Sequence, residues 1–374
     1  MSDTNEIRQL PALENKSSKF CFTDQQLALL QSHRPSFLAN NWGLIVLSAS
    51  MILIRAVAGA SIFWPVALAL IAVLLAIMLI TLLAIHEVES GHYRLAEKLC
   101  NFGLMLGRIS GNNWFAQMQL DQVKAVLLAR QGKIVEAQLT YALWPLSKIS
   151  SMSDTTLANL MGRGQCLERA AEIHLRRYEY VKSNGDLIAK AIVASNVGFA
   201  NMMLSRPEIA KTYLEEAKAL CRNLNFELKV NVLTNIARNN IQLGLLDDAE
   251  MQLSEVQKLI ESRRRYMGQV VGEVQIGFAE LRYLQNRLEE ALLHLTSARE
   301  YFQDLGAGDP LRHYALTLHV KILEQMGRQA EAQETLEKFE SEQCALDSHN
   351  EAIFEHVQQA LSTGNLIDLR KISQ

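Results

Sequence analysis

One phrase returns along the C-terminal two thirds of this chain and limits what it can fold into more than any other feature. A turn residue is followed five positions later by Ala, four further on by an apolar residue, and in most copies by another apolar residue three beyond. It reads Gly132, Ala137, Tyr141, Trp144; then Ser205, Ala210, Leu214, Ala217; then Gly244, Ala249, Leu253, Val256; then Asn286, Ala291, Leu295, Ala298; and finally Gly327, Ala332, Leu336, Phe339. Such a period marks stacked helical hairpins, because one hairpin cannot cover its own apolar face and must pack against its neighbours. The marker alanines lie 73, 39, 42 and 41 residues apart, so the first gap is the length of about two units. Hairpins are therefore expected at 114–149, 187–222, 228–263, 268–304 and 311–342, with 154–183 supplying a sixth that lacks the phrase.

Composition fits an all-α chain. The 374 residues include only six Pro and nineteen Gly, with 49% hydrophobic content, which suits helices better than a sandwich or a disordered segment. A net charge of -3 and an isoelectric point near 6.3 give no basic face for nucleic acid, and no such partner is expected. Cys21, Cys100, Cys166, Cys221 and Cys344 are far apart and form no Cys-x-x-Cys or Cys/His cluster, which reads as a reducing compartment.

Ahead of the repeats, residues 43–85 form an apolar run whose only charge is Arg55. This is about twice the roughly 20 residues that one helix needs to cross a bilayer. Trp42 and Trp64 stand 22 positions apart, as interfacial aromatics at opposite membrane faces would, and Pro65 sits where a second helix would begin. The expectation is a transmembrane hairpin of 42–64 and 65–86, its second span the stronger, with Arg55 snorkelling toward the connecting loop. Arg34 before the spans and Arg94, Lys98 and Arg108 after them place both termini in the cytoplasm by the positive-inside rule. If only the second helix crossed, the two ends would lie on opposite sides. A tail at 1–41 precedes the spans, with one short helix expected from Asp24 to Gln31 behind a Thr23 cap, and the repeat domain occupies 87–374. Tyr93 to Gly107 and Ser348 to Leu361 read as its end caps, and Gly103, Gly107 and Gly111 as a flat strip for close packing.

The repeated residues resemble the tetratricopeptide repeat. Asn196-Val197-Gly198-Phe199-Ala200 is similar to the family's Asn-Leu-Gly-x-Ala, and Ala125, Ala237 and Ala279 are the corresponding small residues twelve before their marker alanines; the last unit has Val320 there. The units exceed the family's 34 residues and lack its usual proline, and in length they look like bacterial regulatory tetratricopeptide domains. The resemblance implies a tetratricopeptide-like α-solenoid whose first helices line a concave groove. Carried over position by position, the groove face comprises Asn196, Phe199, Asn231, Asn235, Arg238, Glu273, Glu280 and Lys321. Asn231, Asn235 and Asn239 put amides four apart on one helix face, suited to hydrogen-bonding an extended peptide backbone.

No catalytic constellation stands out, and the chain is not expected to be an enzyme or to hold a cofactor. His86 and His92 are six apart and point to different sides of a helix, which argues against a zinc site. Gly132-Lys133 is followed by Ile134 and reads as a repeat turn, not a phosphate loop; Gly162-Arg163-Gly164 reads as a helix break. The run Arg263-Arg264-Arg265 reads as a solvated junction, with anionic lipid or an acidic partner as the alternative. The sequence thus points to a membrane-anchored scaffold that binds a protein or peptide, in the inner membrane of a bacterium with its repeats cytoplasmic. The rival readings are a peptide-sensing regulator and a structural subunit of a membrane or secretion assembly; homo-oligomer and membrane complex both stay open.

Overall fold

In a computed structural model that describes residues 20–32, 60–89, 92–109, 114–143, 167–221, 226–262, 268–302 and 309–363, every regular element among those residues is an α-helix. Residues 42–59 of the expected first span lie outside them, as do Gly111, Trp144, Gly162 to Gly164, Cys166 and Arg263 to Arg265. The chain divides into two compact units: 1–21, 130–132 and 151–349 form one, and 22–129, 133–150 and 350–374 the other.

The first unit is a row of antiparallel hairpins: α6 (Leu167–Asn184), α7 (Leu187–Met203) with α8 (Pro207–Leu220), α9 (Phe226–Gln242) with α10 (Leu246–Glu261), α11 (Gly268–Leu284) with α12 (Leu288–Phe302), and α13 (Pro310–Gln325) with the start of α14 (Gln329–Thr363). From α6 to α13 each helix packs on the next, and α7, α9, α11 and α13 also touch in series; His313 of α13 meets Phe339 of α14 edge to face. The second unit holds α1 (Asp24–Ser32), α2 (Ala60–Glu89), α3 (Tyr93–Ile109), most of α4 (Trp114–Arg130), α5 (Ile134–Leu143) and the C-terminal part of α14.

The turn residue of every repeat phrase has a positive φ: Gly132 at 80°, Ser205 at 56°, Gly244 at 75°, Asn286 at 64° and Gly327 at 75°. Each closes the preceding helix through a six-residue backbone bond, as in Arg206 N–H to Asn201 O at 2.9 Å and Leu245 N–H to Asn240 O at 2.9 Å, with equivalents at Lys133, Arg287 and Arg328. This is the Schellman arrangement, in which a left-handed residue lets the chain reverse while satisfying the last carbonyls of the helix. Five residues on, the marker alanine enters the next helix and is buried in all five copies. The apolar residue after it is also buried in four of them (Tyr141, Leu214, Leu253 and Leu295), whereas Leu336 in the last is 36% exposed.

The small residue of the first helix permits the hairpin to close. A Cβ on Gly198 would stand 2.6 Å from Leu214 Cγ, so α7 and α8 approach only because glycine is there. Ala237 and Ala279 are buried at the same repeat position in α9 and α11. In the second unit a stripe of Tyr93, Ala96 and Cys100 on α3 is buried, and Gly103 continues it, its missing Cβ lying within 3.2 Å of Ile80 on α2 and Leu120 on α4. Gly107 has open space beside it, so the expected glycine strip provides close contact at Gly103 only among the described residues.

Several expectations are corrected. Pro65 does not begin a helix: α2 runs through it from Ala60, at the cost of one early backbone bond. Ser348 to Leu361 do not make a helix of their own, since α14 continues unbroken to Thr363, and the Ser348 hydroxyl bonds back to Cys344 O at 2.9 Å inside it. The short N-terminal helix forms behind a capping box, with Gln26 N–H on Thr23 Oγ1 and Thr23 N–H on Gln26 Oε1. It is docked rather than loose: Phe22 stacks on Phe354 with centroids 5.4 Å apart, and Gln26 Nε2 donates to Gln358 Oε1. Cys100, Cys221 and Cys344 are free thiols, but Cys21 is disulfide-bonded, against the expectation of a fully reduced set.

Relieving the left-handed strain at Ser205 with Ser205→Gly is expected to raise unfolding free energy by about 1 kcal/mol, and Gly244→Ala to lower it by a similar amount, in urea unfolding followed by circular dichroism. His174 on α6 is buried with Nδ1 unpartnered, and burial depresses its pKa to about 4. The unfolded chain therefore takes this proton first, so the stability is present above about pH 6.5 and is lost as pH falls toward 4. The group contributes on the order of 3 kcal/mol to that loss, and His174→Leu should flatten that part of the pH profile.

Candidate functional site

The inner helices of the first unit carry a polar interior that an array of leucines and alanines does not need. Ser195, Asn201, Thr234, Asn235, Arg238, Asn239, Asn240, Glu273 and Glu280 are all buried. Buried polar groups are stable only when paired, and their pairing reveals how successive units are joined.

Arg238 on α9 and Glu280 on α11 form a bidentate ion pair, Nη2 to Oε1 at 2.8 Å and Nε to Oε2 at 3.2 Å, with side chains only 4% and 3% exposed. The guanidinium also lies over the Tyr314 ring of α13, 5.4 Å from its centroid, so one cation touches three consecutive first helices. Burial works against the charge of Arg238, but Glu280, by charge and by hydrogen bond, outweighs it, with Tyr314 and Glu273 adding; its pKa stands above the ordinary value. Burial, followed by the Glu280 charge, drives the Tyr314 phenol well above its usual range. The arginine is therefore a permanent cation and the phenol a permanent neutral group.

One turn earlier, Asn235 Nδ2 donates to Asn231 Oδ1 at 3.1 Å and to Ser195 Oγ on α7 at 3.4 Å, while Asn239 Nδ2 donates to Pro207 O at 3.0 Å. Three buried atoms on α9 are left without a partner: Asn235 Oδ1, Arg238 Nη1 and Asn239 Oδ1.

The eight residues expected to face a ligand are thus placed unequally. Asn231 is exposed; Asn196, Phe199 and Lys321 are half-buried; Asn235, Arg238, Glu273 and Glu280 are buried. Phe199 packs against the hydrophobic cluster of α7 and α8. The structure gathers Arg238 with Glu280 and brings Asn231 to Asn235. Ser195 and Tyr314 complete these groups and were not anticipated; Tyr314 falls on the apolar period of its helix, which hides a polar role.

Neither protein-family models nor curated proteins give a match to this chain. Among solved structures, it is similar to a Rap protein complexed with competence and sporulation factor, at TM-score 0.52 and 12% identity, over 79% of this chain and 85% of that one. The apo form of RapI aligns at TM-score 0.43 and 11% identity, over 79% of this chain and 95% of the other. The first likeness establishes a shared fold, a tetratricopeptide-like array of helices.

Removing one member of the Arg238–Glu280 pair leaves a buried charge, so Arg238→Met or Glu280→Leu alone should cost about 3 to 5 kcal/mol in unfolding free energy. The double replacement should recover most of that loss. Chemical denaturation of the four proteins in a double-mutant cycle gives the coupling directly.

Proposed function

We propose that this chain is a ligand-responsive regulatory repeat protein whose inner face takes an extended peptide. The observation that carries this reading is the row of unpartnered atoms on α9: acceptors at Asn235 Oδ1 and Asn239 Oδ1, and a donor between them at Arg238 Nη1. Residues four apart on a helix are about 6 Å apart along its axis, close to the roughly 6.8 Å between alternate residues of an extended chain. Two amide acceptors at that spacing suit successive N–H groups on one edge of a peptide, and the guanidinium between them suits a carbonyl or carboxylate. These atoms are enclosed in the unliganded chain, so occupancy requires the first helices to separate. That requirement favours a regulator that changes shape over a passive scaffold. Support also comes from the Rap protein of the same fold, which was solved with a bound factor.

We also propose that α2 tethers the protein to a membrane. Its segment Ile71–Val88 is long and apolar enough to cross a bilayer and is only 17% buried. Trp64, Leu68, Ile71, Leu75, Met78, Leu79 and Leu82 lie exposed along it. Confinement beside a membrane raises the effective concentration of a weakly held partner.

Incubating the full chain with a random hexapeptide library and sequencing what it retains tests the first reading. Asn235→Ala with Asn239→Ala should lose the retained peptides by at least tenfold while keeping the helical circular dichroism signal. Retention unaffected by that double change would overturn it. For the tether, the chain should stay with membranes through an alkaline carbonate wash and be released by Leu75→Lys with Leu79→Lys; release of the unaltered chain would rule the tether out.

A further inference from the structure

The last hairpin departs from the one before it in a way that opens a cleft. With the marker residues Ala291 and Ala332 brought into register, His319 stands where the previous unit has Phe278, Thr335 where it has His294, and Leu316 where it has Gln275. In the previous unit those positions are filled: the Phe278 and His294 rings stack 5.1 Å apart at 17°, and His294 Nδ1 meets Gln275 Oε1 at 2.7 Å. In the last unit Thr335 turns its hydroxyl back onto Glu331 O at 2.8 Å, and among the described residues no second ring meets His319. The space left between α12, α13 and α14 has a volume of about 670 Å³, within the range of small-molecule sites. None of the polar inner-face residues described above lines it.

The lining has a definite chemistry. Phe302, Leu316, Leu323 and Phe339 supply apolar surface. His319 Nδ1 is buried without a partner, and Arg299 on the facing helix is exposed with no ion pair among the described residues. Burial, then the charges of Arg299 and Arg328, keep the His319 ring neutral against the smaller pull of Glu331. Two carboxylates of the cleft are already engaged, Glu331 by Arg328 and Glu342 by Arg312. Glu300, Glu334 and Lys338 also line it. A doubly charged head such as phosphate would meet those two glutamates. A neutral ligand would leave the Arg299 charge without a counter-ion, whereas a carboxylate pairs with it and can also accept from the His319 ring in its Nδ1–H tautomer.

We propose that this cleft is a second ligand site for a small amphiphile with a single carboxylate, its apolar body against Phe302, Leu316 and Leu323 and its head between Arg299 and His319. The site arises by subtraction, since the same backbone one unit earlier carries a ring pair that fills it.

Isothermal titration of 3-phenylpropionate, and of its neutral amide, into the full chain tests this. The carboxylate is expected to bind one to one and the amide at least tenfold more weakly. The combination His319→Phe with Thr335→His restores the ring pair of the previous unit and should abolish binding while leaving the melting temperature unchanged or higher. Arg299→Met should bring acid and amide to equal affinity. The proposal fails if the carboxylate gives no heat beyond dilution, if the refilled variant binds it as tightly as the native chain, or if the native chain binds the amide as well as the acid.

Discussion

An α-helix ends with unsatisfied carbonyls, and this chain disposes of them in the same way five times. A residue in the left-handed region folds the backbone so that the next N–H reaches back to the helix it has just left. The reversal sets the angle at which the second helix returns, and the marker alanine then allows it to lie close. Ser205 and Asn286 accept a conformation that glycine takes without strain, so the geometry of the turn outranks the local preference of the residue. The depth of the hairpin cores, from Gly198 against Leu214 to Leu253 between its neighbours, depends on that turn being made.

Turns and hairpin cores were legible in the sequence because both are local. The phrase joins residues within twelve positions of one another, and each of its five turn residues has the positive φ that the reading requires. The polar interior was only partly legible. Asn235, Arg238, Glu273 and Glu280 were read as groove-facing from their place on the first helices, yet all four are buried. Burial there is decided by how closely consecutive first helices approach, a distance no single unit encodes. The continuation of α14 through Ser348 has a weak local signal for a related reason. Ser348 has a weak helix preference, but its hydroxyl can satisfy a carbonyl within the same helix, and no glycine or proline follows until Gly364. The docking of Phe22 on Phe354 joins residues more than three hundred positions apart and leaves no local signal.

Contacts between units follow a second period, that of the repeat itself. Arg238 and Glu280 are 42 residues apart, Asn235 and Ser195 40, and Gln325 and Tyr283 42. These are nearly equivalent positions of neighbouring hairpins, facing one another much as cross-strand pairs do in a sheet. In a linear array stability divides into the strength of each unit and of each junction. Leucines and alanines of the repeat phrase supply the first, and the polar ladder bears on the second. A buried ion pair adds little net stability beyond a well-packed apolar pair, but it tolerates misalignment poorly. At a junction such a pair restricts the register in which neighbouring first helices can meet.

A repeat architecture also explains how one backbone can carry different chemistries without changing shape. At a single repeat position the chain places Phe199, Arg238, Glu280 and Lys321 in turn, moving from core packing to a buried cation, its anion and a half-buried cation. At another it moves from Phe278 to His319, and with Thr335 in place of His294 a filled interior becomes an open cleft. Leu336 stays partly exposed in the last hairpin where Leu295 is buried in the one before, so less of its cohesion depends on a full interior.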